Sequence, residues 1–255
     1  MPHVLSIDVA VMPLRSRAGF AAAVAGLIVA AGVALGLMRL GFGWGFALIP
    51  CLLYAVAVLL ALGRVESLHR HARFGLANGI TLVRLAGTSL YAGLAAELAR
   101  DLPVTSTMLW GFAVFAALLL GLDGADGYLA RRQGLASDFG ARFDQEVDTL
   151  LLLLLSVLAF LLGKAGAWVL LIGTMRYLFV AAGRLWPPLR APLPPSLRRS
   201  AICAVQGAVL LMLLTPALAP PVSAWLAGGA LLLLAWSFGV DVVWLAGQRG
   251  QPRGA

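Results

Sequence analysis

Six of the chain's eleven acidic residues fall between Asp123 and Asp148, in a sequence that is 61% hydrophobic and only 12% charged. Asp123 and Asp126 are three apart, and Gly127, Ala130 and Arg131 follow at helical spacing, which sets both acids and the arginine on one side of a helix. Gly140, Asp144 and Asp148 are each four apart and make a second stripe on the next helix. If the two helices form a hairpin, four carboxylates converge, and such a cluster repels itself or binds protons unless cations sit between its members. Oxygen donors favour hard divalent ions such as Mg2+ or Mn2+, and no His or Cys lies near enough to argue for zinc. A site for two ions is the natural expectation. Gly127, Ala130 and Gly140 remove bulk from the acid-bearing faces, so a backbone or a flat ligand can come close. Arg131 offers a fork for a phosphate. Ser137 places a hydroxyl in the junction loop, within reach of a phosphate. Two ions and an arginine describe a diphosphate site, in which the ions polarise the phosphoryl group and neutralise the leaving group. The plainer alternative makes Asp123 and Asp126 interfacial partners of Arg131 and Arg132.

These residues must be held by membrane helices, because so few charged residues cannot coat a water-soluble globule. A crossing takes about 20 apolar residues. Charge-free runs give spans at Ala18–Met38, Leu40–Gly63 and Leu102–Leu122. Leu76–Leu98 and Ala165–Arg184 are spans interrupted by Arg84 and Arg176, and a further run extends from Asp148 to Gly163. The block Ser200–Val240 is too long for one crossing and divides at Thr215, Pro216, Pro220 and Pro221. The expectation is an all-α integral membrane protein of eight transmembrane helices. Of the 19 Lys and Arg residues, 14 fall in segments on one side, which sets both termini in the cytoplasm. The first apolar run, 21 residues long, exceeds a usual signal core. The net charge of +8 comes from short clusters between apolar runs, which argues for orientation in a bilayer and against nucleic-acid binding. Cys51 and Cys203 lie inside apolar runs, as small hydrophobes. Residues 1–74 read as an accessory pair of helices with a cytoplasmic linker, 75–247 as a six-helix working core and 248–255 as a cytoplasmic tail.

The pattern Asp123-x2-Asp126-Gly127-x2-Ala130-Arg131-x8-Gly140-x3-Asp144-x3-Asp148 resembles, at every fixed position, the signature of the CDP-alcohol phosphatidyltransferases. Eight specified residues at about 5% frequency each arise by chance at roughly 1 in 10^10 per starting position. The resemblance covers about residues 75–247. It implies a phospholipid-synthesising transferase of the inner membrane that moves a phosphatidyl group from CDP-diacylglycerol to a small alcohol and releases CMP. By the same resemblance, Asp123, Asp126, Asp144 and Asp148 hold two divalent ions, with Asp148 also the general base on the acceptor hydroxyl. Gly127, Ala130, Arg131 and Gly140 contact the cytidine diphosphate. The family's preceding helix often starts N-x-x-T-x-x-R, matched here by Asn78, Thr81 and Arg84, and Asn78 and Thr81 are then nucleotide contacts. Members of the family often pair, so a homodimer is a further implication.

For the acceptor, Arg176 and Arg184 are eight apart, near one helical face and about 12 Å apart along it. With Arg199 at the start of the next helix they resemble the basic residues that face the pocket in phosphatidylglycerophosphate synthases, which implies glycerol 3-phosphate. This chain departs from that pattern at Tyr177, where those enzymes commonly carry Glu, and at Arg199, Ser200 and Cys203, which replace a Lys- and Thr-rich start. Transfer of a phospho-alcohol from a soluble CDP-alcohol to diacylglycerol is the nearest alternative. A transporter is the rival class, but it requires acids spread along the bilayer midplane.

Overall fold

A computed structural model describes residues 13–68, 74–133 and 137–247; the side chains of Glu66, Leu68 and residues 125–133 lie outside that description. Among the described residues the chain is all α-helical, with α1 (Leu14–Arg39), α2 (Trp44–Leu68), α3 (Leu76–Leu98), α4 (Ser106–Gln133), α5 (Asp138–Leu161), α6 (Leu170–Leu185), α7 (Leu197–Leu214) and α8 (Val222–Gly247). Seven of these, counting α6 together with the 3-10 turn Ala167–Val169 before it, are long and apolar enough to cross a membrane. The eighth, α5, carries carboxylates in its first three turns and is free of charged residues only after Asp148. The expected membrane-embedded, all-α architecture is therefore what the chain adopts.

Two compact units cut across chain order. The first contains residues 1–97 and 118–148. Its centre is α3, with 67% of its apolar window buried, against 22% for α1 and 17% for α2. Helix α1 buries a seam of Ala18, Ala22, Ala25, Val29 and Gly36, spaced by three, four and seven residues. Its opposite face leaves Leu27 and Met38 exposed, as does α2 with Leu48 and Leu52. In a bilayer that surface is covered by lipid. Gly41, at φ +67°, makes the turn between the two helices, a conformation glycine adopts without strain. On α3, a Cβ at Gly93 would lie 2.6 Å from Pro50 Cγ and 2.9 Å from Phe46 Cδ2, so only glycine permits this approach of α2. The buried Glu97 accepts hydrogen bonds from the N–H groups of Gly43 (3.1 Å) and Phe46 (3.2 Å). It serves as an N-cap for α2 supplied by a distant helix, taking the amide of Gly43 and sharing that of Phe46 with the Gly43 carbonyl at 3.0 Å.

The second unit contains residues 98–117 and 149–255. A Cβ at Gly173 would lie 2.3 Å from Leu153 Cα, so the backbones of α5 and α6 touch there. Gln206 Nε2 donates to Ala230 O at 2.9 Å, tying α7 to α8. Lys164 Nζ donates to the carbonyls of Thr215 (2.8 Å) and Leu218 (2.5 Å), while Ser223 Oγ donates to Lys164 O (2.6 Å). Arg190, on a 3-10 turn after α6, closes that helix by donating from Nε to Gly183 O at 2.7 Å.

Helix bounds differ from those expected of charge-free runs above all at α4 and α5. Helix α5 begins ten residues before Asp148, and α4 continues unbroken through the first part of the signature, Asp123 to Arg131, and ends at Gln133. A charge ends an apolar run but does not end a helix, because the backbone hydrogen bonds of a helix are indifferent to side-chain polarity.

Candidate functional site

Three helices of the first unit build the site. Helix α3 presents Asn78, Thr81 and Arg84 at successive three-residue steps, with relative exposures of 5%, 2% and 0%. Arg84 is tied to both neighbours. Its Nε donates to the backbone carbonyl of Leu119 on α4 at 3.2 Å. Its Nη1 donates to Asp144 Oδ1 at 2.5 Å and lies 2.9 Å from Asp123 Oδ1, and its Nη2 donates to Asp148 Oδ1. Asp144 and Asp148 lie one turn apart on α5, so a single guanidinium fork engages both.

The carboxylates of Asp123, Asp144 and Asp148 lie within 4.8 Å of one another. Their side chains are 44%, 32% and 26% exposed, whereas that of Arg84 is fully buried. The cation thus closes the inner side of the cluster and the acids remain reachable from outside. Three negative charges against one positive leave an excess of two, held by oxygen donors alone. That donor set fits a hard divalent ion, which such carboxylates could hold. Asp126, expected as the fourth ligand, is in α4, but its side chain lies outside the described residues. The same is true of Gly127, Ala130 and Arg131.

Asn78 and Gly140 meet: a Cβ on Gly140 would lie 2.8 Å from Asn78 Oδ1 and 3.4 Å from Ser137 Oγ. An added Cβ at 140 would therefore displace the Asn78 amide, whatever else the residue touches. Asn78 Nδ2 donates to Phe74 O, and Thr81 Oγ1 donates to Ala77 O at 3.1 Å. Ser137 Oγ accepts from Gly140 N at 3.1 Å and caps α5, a local duty that a serine at this position performs without any ligand.

In the second unit, Arg176 Nη1 donates to Thr149 Oγ1 at 2.7 Å. Arg184 is exposed near the C-terminal end of α6, and its carbonyl accepts from Arg190 Nη2 at 3.2 Å. Arg199 Nη1 lies 3.2 Å from Asp241 Oδ1, and its Nη2 donates to Pro194 O. Arg198 also pairs with Asp241. The described contacts thus join Asp123, Asp144 and Asp148, and separately Asn78, Ser137 and Gly140, whereas Arg176 and Arg199 each turn to a partner of their own. Sequence reasoning did not place Arg84 in the acidic cluster. The available signal was an arginine inside an apolar span, a placement that demands a partner.

A family model described as CDP-alcohol phosphatidyltransferase matches residues 74–240, about two-thirds of the chain. No curated protein and no solved structure matches it.

Proposed function

The chain belongs to the CDP-alcohol phosphatidyltransferase family, and from that premise we propose that it moves a phosphatidyl group from CDP-diacylglycerol to a small alcohol, best read as glycerol 3-phosphate, with release of CMP. The convergence of Asp123, Asp144 and Asp148 within 4.8 Å carries the reading. An enzyme of this chemistry needs a concentrated, reachable patch of carboxylate oxygen, and a transporter's midplane acids would not be so gathered.

In this reading Asp123, Asp126, Asp144 and Asp148 hold two ions, Mg2+ or Mn2+. When bound, the ions supply charge neutralisation on the diphosphate and on departing CMP. Asp148 takes the proton of the acceptor hydroxyl as its oxygen bonds to the β-phosphorus and the bond from that phosphorus to CMP breaks. Asn78, Thr81, Gly127, Ala130, Arg131, Ser137 and Gly140 form the cytidine diphosphate side. The close fit of Asn78 against Gly140 supports assigning these two to one place. Arg176, Arg184 and Arg199 are assigned to the acceptor's phosphate. Residues 75–247 are the catalytic core, 1–74 carry the accessory helices and 248–255 form the tail. The excess of basic residues on one side supports an inner-membrane enzyme with both termini in the cytoplasm, working as a monomer or a pair.

The test is CMP release by the purified chain with CDP-diacylglycerol and Mn2+ or Mg2+, scored over glycerol 3-phosphate, inositol phosphate, serine and choline. Release that requires glycerol 3-phosphate supports the full reading. Release with an unphosphorylated acceptor overturns the roles of the three arginines. No release with any of them, alongside turnover of CDP-choline with diacylglycerol, reverses the direction of transfer.

A further inference from the structure

Arg84 has no step in the reaction above, yet it is the most completely buried large side chain of the first unit and touches three of the four aspartates. We propose that Arg84 is a built-in counter-cation, which keeps Asp123, Asp144 and Asp148 assembled when no divalent ion is bound and weakens the binding of ions when they arrive. This rests on the two-ion reading of the same carboxylates.

Three observations lead to it. First, the guanidinium cannot swing away as a surface arginine would, because Nε is fixed on the Leu119 carbonyl at 3.2 Å and the side chain has no exposed area. Second, its two terminal nitrogens are shared among all three carboxylates, so it spans the distances that an arriving ion would otherwise have to close. Three like charges within 4.8 Å would drive α4 and α5 apart or take up protons without such a partner. Third, the burial is one-sided. The carboxylates remain partly exposed while the arginine does not, so ions can reach the acids with Arg84 still in place behind them. A fixed unit charge a few ångströms from a divalent ion opposes its entry. A simple strut makes the opposite prediction: an arginine that only orients the ligands would strengthen ion binding.

The experiment uses the full chain in nanodiscs without nucleotide and measures Mn2+ binding through the electron paramagnetic resonance signal of free Mn2+, together with thermal unfolding in EDTA. Arg84→Gln is expected to bind Mn2+ about tenfold tighter than the parent. It should also unfold at a lower temperature in EDTA, with Mn2+ closing most of that gap. Arg84→Lys, which keeps the charge and loses the fork, should fall between the two in both measurements. Equal or weaker Mn2+ binding by Arg84→Gln overturns the proposal, as does unfolding in EDTA at the parent's temperature. If Arg84→Gln does not fold, Arg84→Lys decides alone: tighter binding than the parent supports the counter-cation, and equal or weaker binding overturns it. A parent protein that binds no Mn2+ overturns both this inference and the two-ion reading, whereas failure of this inference alone leaves the parent binding intact.

Discussion

Around Arg84 one guanidinium faces three carboxylates; around Asp241 one carboxylate faces two guanidiniums, those of Arg198 and Arg199. Both clusters join neighbouring helices, and both bury the minority charge, Arg84 fully and Asp241 to 5% exposure. They differ in what surrounds the majority charge. Arg198 donates to both the carbonyl (2.5 Å) and the hydroxyl (2.9 Å) of Ser237 and lies 5.7 Å from the centre of the Trp236 ring, while Arg199 reaches the Pro194 carbonyl. The cationic cluster is thus provided for by backbone, hydroxyl and aromatic ring. The anionic cluster has a surplus of two against one in the cationic cluster, and its acids face outward. An ion pair inside a membrane protein is consequently a weak sign of a site. The sign of its excess charge, and whether that excess can be reached, is a stronger one.

That contrast breaks if Asp148→Asn keeps activity. The substitution should lower CMP release by about a thousandfold or more while the protein still elutes as one folded species, because it removes the proposed base and an ion ligand together. Chelation should abolish release and added Mn2+ should restore it, and Asp241→Asn should show the same Mn2+ requirement as the parent. A shifted requirement would mean that the two clusters are not independent. Asp241→Asn should instead act on stability. It leaves two arginines short of their acid, and with those side chains 23% and 29% exposed, solvent limits the loss to about 1–3 kcal/mol. Thermal unfolding measures that loss, and CMP release per folded molecule should stay within about threefold of the parent. The smallest effect belongs to Glu97→Gln, which keeps a hydrogen-bond acceptor at the start of α2 and should cost about 1 kcal/mol with no change in Mn2+ dependence.

Much of the architecture was legible because hydrophobic length and helical period are local properties. Helix α3 has the bounds expected of it, Leu76–Leu98, and the four-residue steps from Gly140 to Asp148 do lie on one helix. The acids were found because aspartate in an apolar sequence is rare enough for its spacing to speak. What escaped was everything decided by distant contacts. Arg84 meets Asp144 and Asp148 across 60 and 64 residues, and no periodicity could announce that. Charge-free runs alone understate α5, because a rule that ends a span at the first charge discards the three turns that carry the chemistry; the four-residue spacing recovers them. Ser137 shows the converse limit. A hydroxyl in a loop suggested a phosphate contact, and the same position also makes it a helix cap.

The clasp between Glu97 and the beginning of α2 has a bearing on how the chain is made. The residue that satisfies the amides of Gly43 and Phe46 emerges from the ribosome more than fifty positions after them. Until it arrives, the Gly43 amide lacks this acceptor and the Phe46 amide has only the Gly43 carbonyl. The leading hairpin therefore gains its last hydrogen bonds only when the third helix is synthesised, and a nascent chain arrested before Glu97 should leave that turn more open to protease.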